Sequence, residues 1–329
     1  MASRSHVDRS DDARDARPMT FLVRLPIELY PADALAGLPH EAGPPVPPGP
    51  CDLGAARAAV WAAQLAYEDE LDKIDTVVAG WGARRLVQFD APASPLLPIT
   101  GTRGLLLAAA GTRLLAFAGT DPLNLAHWLT DFDIVQTPEG IHRGFDAALD
   151  AVWGAVAMAL SEHAGDARLL ITGHSLGGAL AALAAQRLLI TFGLRPQVWT
   201  FGMPRVGSPH FAERYEAALG ADTVRLVHGE DIVPTVPPSR LGYGHVGRRL
   251  TCARHTRFDA AALASESDDE PAFVPALIGG VKEGLRQLWS LSLAPEIRPD
   301  PIGQLSRVLP PAFGDHLPDR YWMALAPPS

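Results

Sequence analysis

The chain has few cysteines, few charges and no strongly basic stretch. Its 329 residues include two cysteines, Cys51 and Cys252. They lie far apart without metal-like spacing, so neither a disulfide framework nor a metal cluster is implied, although a single bridge stays open. Charged residues make up 20% of the chain and the net charge is −9. Because no Lys/Arg stripe interrupts this acidic balance, a nucleic-acid partner is not expected.

Long apolar runs are also missing. No stretch reaches the roughly 18 apolar residues that span a bilayer, so no transmembrane segment is expected. Residues 1–17 alternate Arg and Asp and lack the apolar centre of a signal peptide. We therefore expect residues 1–19 to be a disordered tail and the protein to be cytoplasmic.

The remaining chain is predicted to form one α/β domain, residues 20–329. Its hydrophobic content of 47% is typical of globular proteins, and no central stretch has the composition of a linker. Residues 31–50 are rich in proline and poor in apolar residues, and are predicted to be an extended arm on the surface.

Short apolar runs alternate with helical patterns along the chain. The predicted strands are 104–110, 113–118, 167–172, 198–202 and 224–228. The predicted helices are 52–69, 142–163 and 179–189. The first two strands are expected to form a hairpin. The alternation that follows predicts a mostly parallel sheet with helices on both faces.

The centre of the sequence carries a Gly-x-Ser-x-Gly turn. Gly173-His174-Ser175-Leu176-Gly177 lies between a predicted strand and a run of small residues that predicts a helix. A serine at the tip of such a turn has a strained backbone, and bulky neighbours would clash, so glycines are needed on both sides. The motif alone is weak evidence. Its strand-turn-helix context favours a nucleophilic serine over an ordinary glycine-rich turn.

A nucleophilic serine needs a histidine base and a carboxylate that orients the base, in the chain order serine, acid, base. Asp231 follows the strand 224–228 and is the candidate acid, with a solvated turn aspartate as the alternative. Two histidines follow it, His245 and His316. We favour His316 as the base because a terminal loop can return over the serine, and assign His245 a structural role. His174 is expected to pack beneath the turn.

These segments resemble the class 3 lipases, α/β-hydrolases that include the fungal triacylglycerol lipases. The matching segments, in the family's order, are 117–120, 128–132, 142–145, 172–179, 200–207, 231–234 and 315–316. The resemblance implies an α/β-hydrolase fold and a triad of Ser175, Asp231 and His316. It also implies an oxyanion hole formed by the N–H groups of Thr120 and Leu176. The strand that stops at Thr120 beside an open loop favours the same assignment.

The resemblance further implies that the loop after Thr120 is a lid. Its substrate-binding residues would be Leu123, Leu125 and Trp128. Ala118 stands where the family usually has Arg, and His127 where it usually has Asn. Neither departure falls on a residue of the predicted triad.

Residues 255–310 match none of the family's motifs and are predicted to be an insertion before His316. Within them, residues 271–293 repeat apolar side chains at helical spacing with charged residues on the other side, which predicts an amphipathic helix. We hypothesise that this helix caps the active-site mouth, with ordinary packing on the core as the alternative.

The sequence thus predicts a serine carboxylic-ester hydrolase, a lipase that cleaves acylglycerol esters through an acyl-enzyme, without metal or cofactor. A phospholipase or a short-chain esterase on the same triad is the alternative within enzymes. A lipid-binding relative without catalysis is the alternative from another class. The expected partner is a lipid or other ester substrate, at a lipid-water interface in the lipase case.

Overall fold

The computed structural model describes residues 24–39, 51–92, 101–109, 111–120, 134–163, 167–264 and 311–327. Its centre is an eight-stranded sheet whose strands lie side by side in chain order. The strands are β1 Ala83–Ala91, β2 Thr102–Ala109, β3 Thr112–Phe117, β4 Arg168–His174, β5 Gln197–Phe201, β6 Thr223–His228, β7 Arg248–Cys252 and β8 Leu263–Ala264. Strands β3 to β7 are parallel, whereas β1, β2 and β8 pair antiparallel at the two edges.

Helices cover both faces of this sheet. They are α1 Leu53–Leu65, α2 Leu71–Gly80, α3 Arg143–Glu162, α4 Leu176–Phe192, α5 Pro209–Leu219, α6 Pro311–Gly314 and α7 Pro318–Ala324. On one face the sheet shares an apolar cluster with α3, α4, α5 and α6, and on the other with α1, α2 and α7. The apolar residues of strand β3, 114–117, alternate between these two clusters. Leu115 and Phe117 enter the first cluster, and Leu114 and Ala116 enter the second.

Each predicted strand and helix of the α/β pattern corresponds to an element of the structure. The predicted hairpin is β2 and β3, the other three predicted strands are β4, β5 and β6, and the three predicted helices are α1, α3 and α4. Element ends differ by several residues. The mostly parallel sheet with helices on both faces is present, with antiparallel edges.

Helix α3 is the one described helix whose length and apolar composition would allow it to cross a membrane. Its buried residues include Phe145, Leu149, Val152 and Val156 at helical spacing. They belong to the apolar cluster shared with the sheet. We therefore interpret α3 as a core helix.

The extended arm predicted for residues 31–50 is wrong in its first part. Residues 32–37 form consecutive turns, and Leu35 and Leu38 are buried in the same cluster as α1. This segment approaches α1 closely, since a Cβ on Gly37 would lie 2.3 Å from a backbone atom of Gly54. Small residues on both segments allow burial where the proline content suggested an exposed arm.

Several predicted features lie outside the described residues. They are the tail 1–19, residues 40–50 of the arm, the lid residues Leu123, Leu125 and Trp128 with His127, and the helix predicted for 271–293.

Candidate active site

Ser175 forms the turn between β4 and α4. Strand β4 ends at His174 and α4 begins at Leu176, so this one residue reverses the chain. Its φ of 58° and ψ of −130° are a conformation that residues other than glycine rarely adopt. The N–H of Ser175 donates to the carbonyl of Phe201 at 2.8 Å, and Gly178 donates back to the Ser175 carbonyl at 2.9 Å. These bonds fix the turn against the end of β5.

Two glycines make room for this turn. A Cβ on Gly173 would lie 2.1 Å from the carbonyl oxygen of Gly177. A Cβ on Gly177 would lie 2.3 Å from the carbonyl oxygen of Phe117. Neither position accepts a side chain unless the backbone moves, so the steric role predicted for both glycines is confirmed.

Asp231 and His316 form a buried pair. Asp231 lies in the loop after β6, and His316 lies between α6 and α7. The Nδ1–H of His316 donates to the Asp231 carboxylate at 2.8 Å to Oδ2 and 2.9 Å to Oδ1. Because Nδ1 carries the hydrogen in this bond, Nε2 keeps a free lone pair. This is the tautomer that a general base requires.

The pair lies beside Ser175 at the end of β5. A Cβ on Gly202, the residue after β5, would lie 2.8 Å from His316 Nδ1 and 2.6 Å from Asp231 Oδ2. The ring centroids of His174 and His316 are 4.6 Å apart. The structure thus brings the three predicted residues together. Ser175 Oγ and His316 Nε2 are both buried and have no hydrogen-bond partner among the described residues, and in an empty site such a bond is often longer than in a substrate complex.

Tyr321 is a further site residue that the sequence did not reveal. Its hydroxyl donates to Asp231 Oδ2 at 2.5 Å, while the N–H of Val233 donates to Oδ1 at 2.9 Å. Burial, and then the charge of Asp231, raise the pKa of Tyr321 well above its usual range, so the hydroxyl stays protonated and remains a donor. The only sequence signal was an aromatic residue shortly after His316, which does not distinguish a site residue from a core residue.

His174 lies beneath the turn, as predicted. Its Nε2–H donates to the backbone carbonyl of His316 at 2.7 Å, and its Nδ1 accepts from the Tyr67 hydroxyl at 2.7 Å. Burial, and then the neighbouring His316, hold the pKa of His174 well below its usual range, so the ring is neutral. His174 and Tyr67 thereby attach the end of β4 and the region after α1 to the backbone of the base.

His245 has a different environment. It is 5% exposed, and its Nε2–H donates to the carbonyl of Pro234 at 2.8 Å. Pro234 lies in the loop that follows Asp231. His245 therefore braces the acid loop, and it is His316 that reaches the carboxylate.

The two expected oxyanion donors also adjoin Ser175. A Cβ on Gly119 would lie 2.8 Å from the Ser175 Cβ, so the segment that leads to Thr120 lies against the serine. Thr120 is buried, and its Oγ1 has no hydrogen-bond partner within the described ranges. Leu176 is the first residue of α4, so its N–H has no acceptor within the helix and carries the positive end of the helix dipole.

The two cysteines are free thiols, so the single bridge that the sequence left open is not formed. Burial raises the pKa of Cys51 to about 11 and that of Cys252 to about 12. Both thiols are therefore protonated at neutral pH and poor nucleophiles. In the part of the chain that the structure describes, no group of three or more His, Cys, Asp or Glu side chains is placed to hold a metal ion.

Comparison with known proteins extends this picture. Residues 114–241 match the family described as lipase (class 3). A secreted mono- and diacylglycerol lipase of Fusarium solani is 36% identical over 132 residues, which are 37% of this chain and 39% of the relative. A secreted mono- and diacylglycerol lipase of Malassezia globosa is 32% identical over 152 residues, 43% of this chain and 49% of the relative. The matches thus span less than half the length of these relatives.

The fold is shared with a solved structure. Lipase II from Rhizopus niveus superposes with a TM-score of 0.53 at 26% identity, over 66% of this chain and 87% of that chain. The α/β-hydrolase fold expected from the sequence is therefore confirmed.

The expected cytoplasmic location is contradicted by the same comparison. It depended on the charged composition of residues 1–17, whereas the relatives from Fusarium solani and Malassezia globosa are named as secreted proteins. The resemblance found in the motifs is confirmed by the matched segment, residues 114–241, which is similar to the class 3 lipases, and by relatives that are named as lipases.

Proposed function

We propose that this protein is a serine lipase that hydrolyses acylglycerol esters. One observation carries the proposal, namely that Ser175, in a strained turn, lies beside the buried pair of His316 and Asp231. A hydroxyl, an imidazole with a free Nε2 and a carboxylate on Nδ1 are the parts that acyl transfer to water requires.

In the proposed first step, Ser175 Oγ attacks the ester carbonyl carbon and its proton passes to His316 Nε2. The N–H groups of Thr120 and Leu176 stabilise the negative charge that develops on the carbonyl oxygen. The Asp231 carboxylate, bound to Nδ1, stabilises the imidazolium that forms. The tetrahedral intermediate collapses as His316 gives the proton to the leaving alcohol, which leaves an acyl group on Ser175.

In the second step, water replaces the alcohol. His316 takes a proton from the water as it attacks the acyl-enzyme, and returns that proton to Ser175 Oγ when the bond to the fatty acid breaks. No redox partner is needed, since each proton that is taken is given back.

The substrate class is supported by the names of the relatives, which are mono- and diacylglycerol lipases. The same names favour an extracellular site of action for this protein. A lipid surface is then the expected partner during turnover.

A fluorophosphonate probe and a substrate series test the proposal. The parent protein should be labelled and should hydrolyse emulsified mono- and diacylglycerols. Ser175→Ala should lose labelling and about 10⁴-fold or more of its activity, because the acyl-enzyme cannot form. Ser161→Ala, at an exposed position of α3, is the matched control and should keep both.

The substrate series also separates the alternatives. If the protein hydrolyses only short, soluble p-nitrophenyl esters, the esterase alternative replaces the lipase proposal. If the protein hydrolyses phospholipids faster than acylglycerols, the phospholipase alternative replaces the lipase proposal. A parent protein that neither reacts with the probe nor hydrolyses any ester would leave the lipid-binding alternative.

A further inference from the structure

The loops of the acid and the base are joined by a side chain outside the triad. Asp315 immediately precedes His316, and Glu230 immediately precedes Asp231. The N–H of Glu230 donates to Asp315 Oδ2 at 2.8 Å. The residue before the base thus binds the residue before the acid.

Arg254 supports the same carboxylate. Its Nε lies 3.0 Å from both oxygens of Asp315, and its Nη2 lies 2.7 Å from Oδ2. The same Nη2 is 3.2 Å from Glu230 Oε2. Asp315 is 3% exposed, and a buried carboxylate is costly unless donors of this kind compensate its charge.

The backbone is shaped around Asp315. Gly229 has a φ of 56°, and a Cβ there would lie 2.3 Å from Asp315 Oδ2. Only glycine leaves room for the carboxylate at this point. A second bond joins the same two segments on the other side of Asp231, from the N–H of Ile232 to the carbonyl of Ala312 at 3.1 Å. Bonds to both chain neighbours of Asp231 therefore hold its loop to the segment that carries His316.

We propose that Asp315 is a positioning residue for the reaction. With Arg254 and the Glu230 N–H it forms the Asp315 clamp, which fixes the distance and angle between His316 and Asp231. The proposal rests on the proposed function, since it assigns Asp315 an effect on turnover through the base. Small displacements of catalytic groups have large consequences, because a shift of about 1 Å can lower a rate by about 10²-fold.

Three variants test the clamp on a soluble p-nitrophenyl ester. Asp315→Ala removes the acceptor, so kcat should fall about 10²-fold while KM stays within about twofold. Asp315→Asn keeps an oxygen that can accept from Glu230, and should retain kcat within about fivefold. Asp75→Ala is the control, because Asp75 also binds an arginine through two bonds, to Arg85 at 2.7 Å each, and it should keep the parent kcat.

A measurement without turnover completes the test. In the parent, the Nδ1 proton of His316 should give a strongly downfield proton resonance from its bond to Asp231. In Asp315→Ala this resonance should move upfield or broaden, and in Asp75→Ala it should not change. If Asp315→Ala does not fold, Arg254→Gln replaces it and must show a lower kcat at unchanged KM.

The clamp is overturned if Asp315→Ala keeps both its kcat and its downfield proton. It is also overturned if Asp315→Asn loses as much kcat as Asp315→Ala, because the shared acceptor would then be irrelevant. A parent that shows the downfield proton and its dependence on Asp315, yet hydrolyses no ester, would overturn the proposed function and leave the geometric role of the clamp intact.

Discussion

Asp231 is a buried charge that three neighbouring groups satisfy. His316, Tyr321 and the N–H of Val233 all donate to it, and it is 2% exposed. Burial of an unpaired carboxylate would be expensive, whereas hydrogen bonds to a charged group each contribute about 1.5–3 kcal/mol. Asp231 is therefore held in place by a donor from its own loop, Val233, and by two donors from the far end of the chain, His316 and Tyr321.

His316 and His245 can be separated by substitution. His316→Ala should lower kcat by about 10⁴-fold or more, because the members of a triad act as a unit. His245→Ala removes a donor from the carbonyl of Pro234 and should lower the free energy of unfolding by about 1–3 kcal/mol, with kcat within about tenfold of the parent. Steady-state kinetics of both variants measures the change in kcat, and urea unfolding measures the change in the free energy of unfolding. A folded, inactive His245→Ala beside an active His316→Ala would reverse the assignment.

The sequence reveals site residues whose chemistry or steric setting is distinctive. Ser175 is predicted from its glycines, and Asp231 and His316 from the chain order that the proposed reaction requires. Tyr67 and Tyr321 were missed because their roles are contacts with His174 and Asp231 across the fold. From the sequence alone, a tyrosine in a helical or loop segment cannot be distinguished from a core residue, because the partner of its hydroxyl is not known.

Among the structural elements, the turn between β4 and α4 is the one least tolerant of change. Gly173→Ala should lower the free energy of unfolding by about 3 kcal/mol or more, because its Cβ would overlap the backbone of Gly177. Gly154→Ala is the matched control within α3, where a Cβ meets nothing within 4 Å. It should raise stability by about 0.5–1 kcal/mol through helix propensity. Denaturant unfolding compares the two, and a Gly173→Ala protein as stable as the parent would refute the steric argument.

Elements were predictable where burial on both faces gives a short apolar run, as in residues 114–117 of β3 and 169–171 of β4. Strand β1 was missed because it is an edge strand with arginines at 84 and 85 and mostly half-buried side chains. The first part of the arm was predicted wrongly because its prolines suggested exposure. Leu35 and Leu38 are instead buried in the cluster that contains α1, and no periodic pattern in this segment indicates that burial.

For the molecule as a whole, stability should decrease in mild acid. Burial is the main cause that lowers the pKa of both His174 and His228. In the unfolded chain each imidazole titrates near pH 6.5. Below that pH the unfolded state binds protons that the folded state does not. The free energy of unfolding should therefore be fully retained above about pH 6.5 and fall below it, by about 1.4 kcal/mol per pH unit for each histidine, until the folded pKa is reached.

Urea unfolding of the parent and of two variants between pH 7.5 and 5 isolates this contribution from that of the carboxylates. His228→Gln should show a shallower loss of stability just below pH 6.5. His210→Gln, at a side chain that is 76% exposed, should follow the parent. Identical slopes for the parent and His228→Gln would mean that His228 does not contribute.

The agreement between strand order and chain order has a consequence for biosynthesis. Each strand pairs with the strand made just before it, so the sheet can lengthen at one edge as the chain leaves the ribosome. The proposed nucleophile Ser175 is placed once β4 and α4 dock on β3. The proposed acid Asp231 follows with the loop after β6, and the proposed base His316 with residues 311–327. A nascent chain thus carries Ser175 without His316 while the residues between them are made, and the proposed hydrolytic activity can begin only when the rest of the sheet is in place.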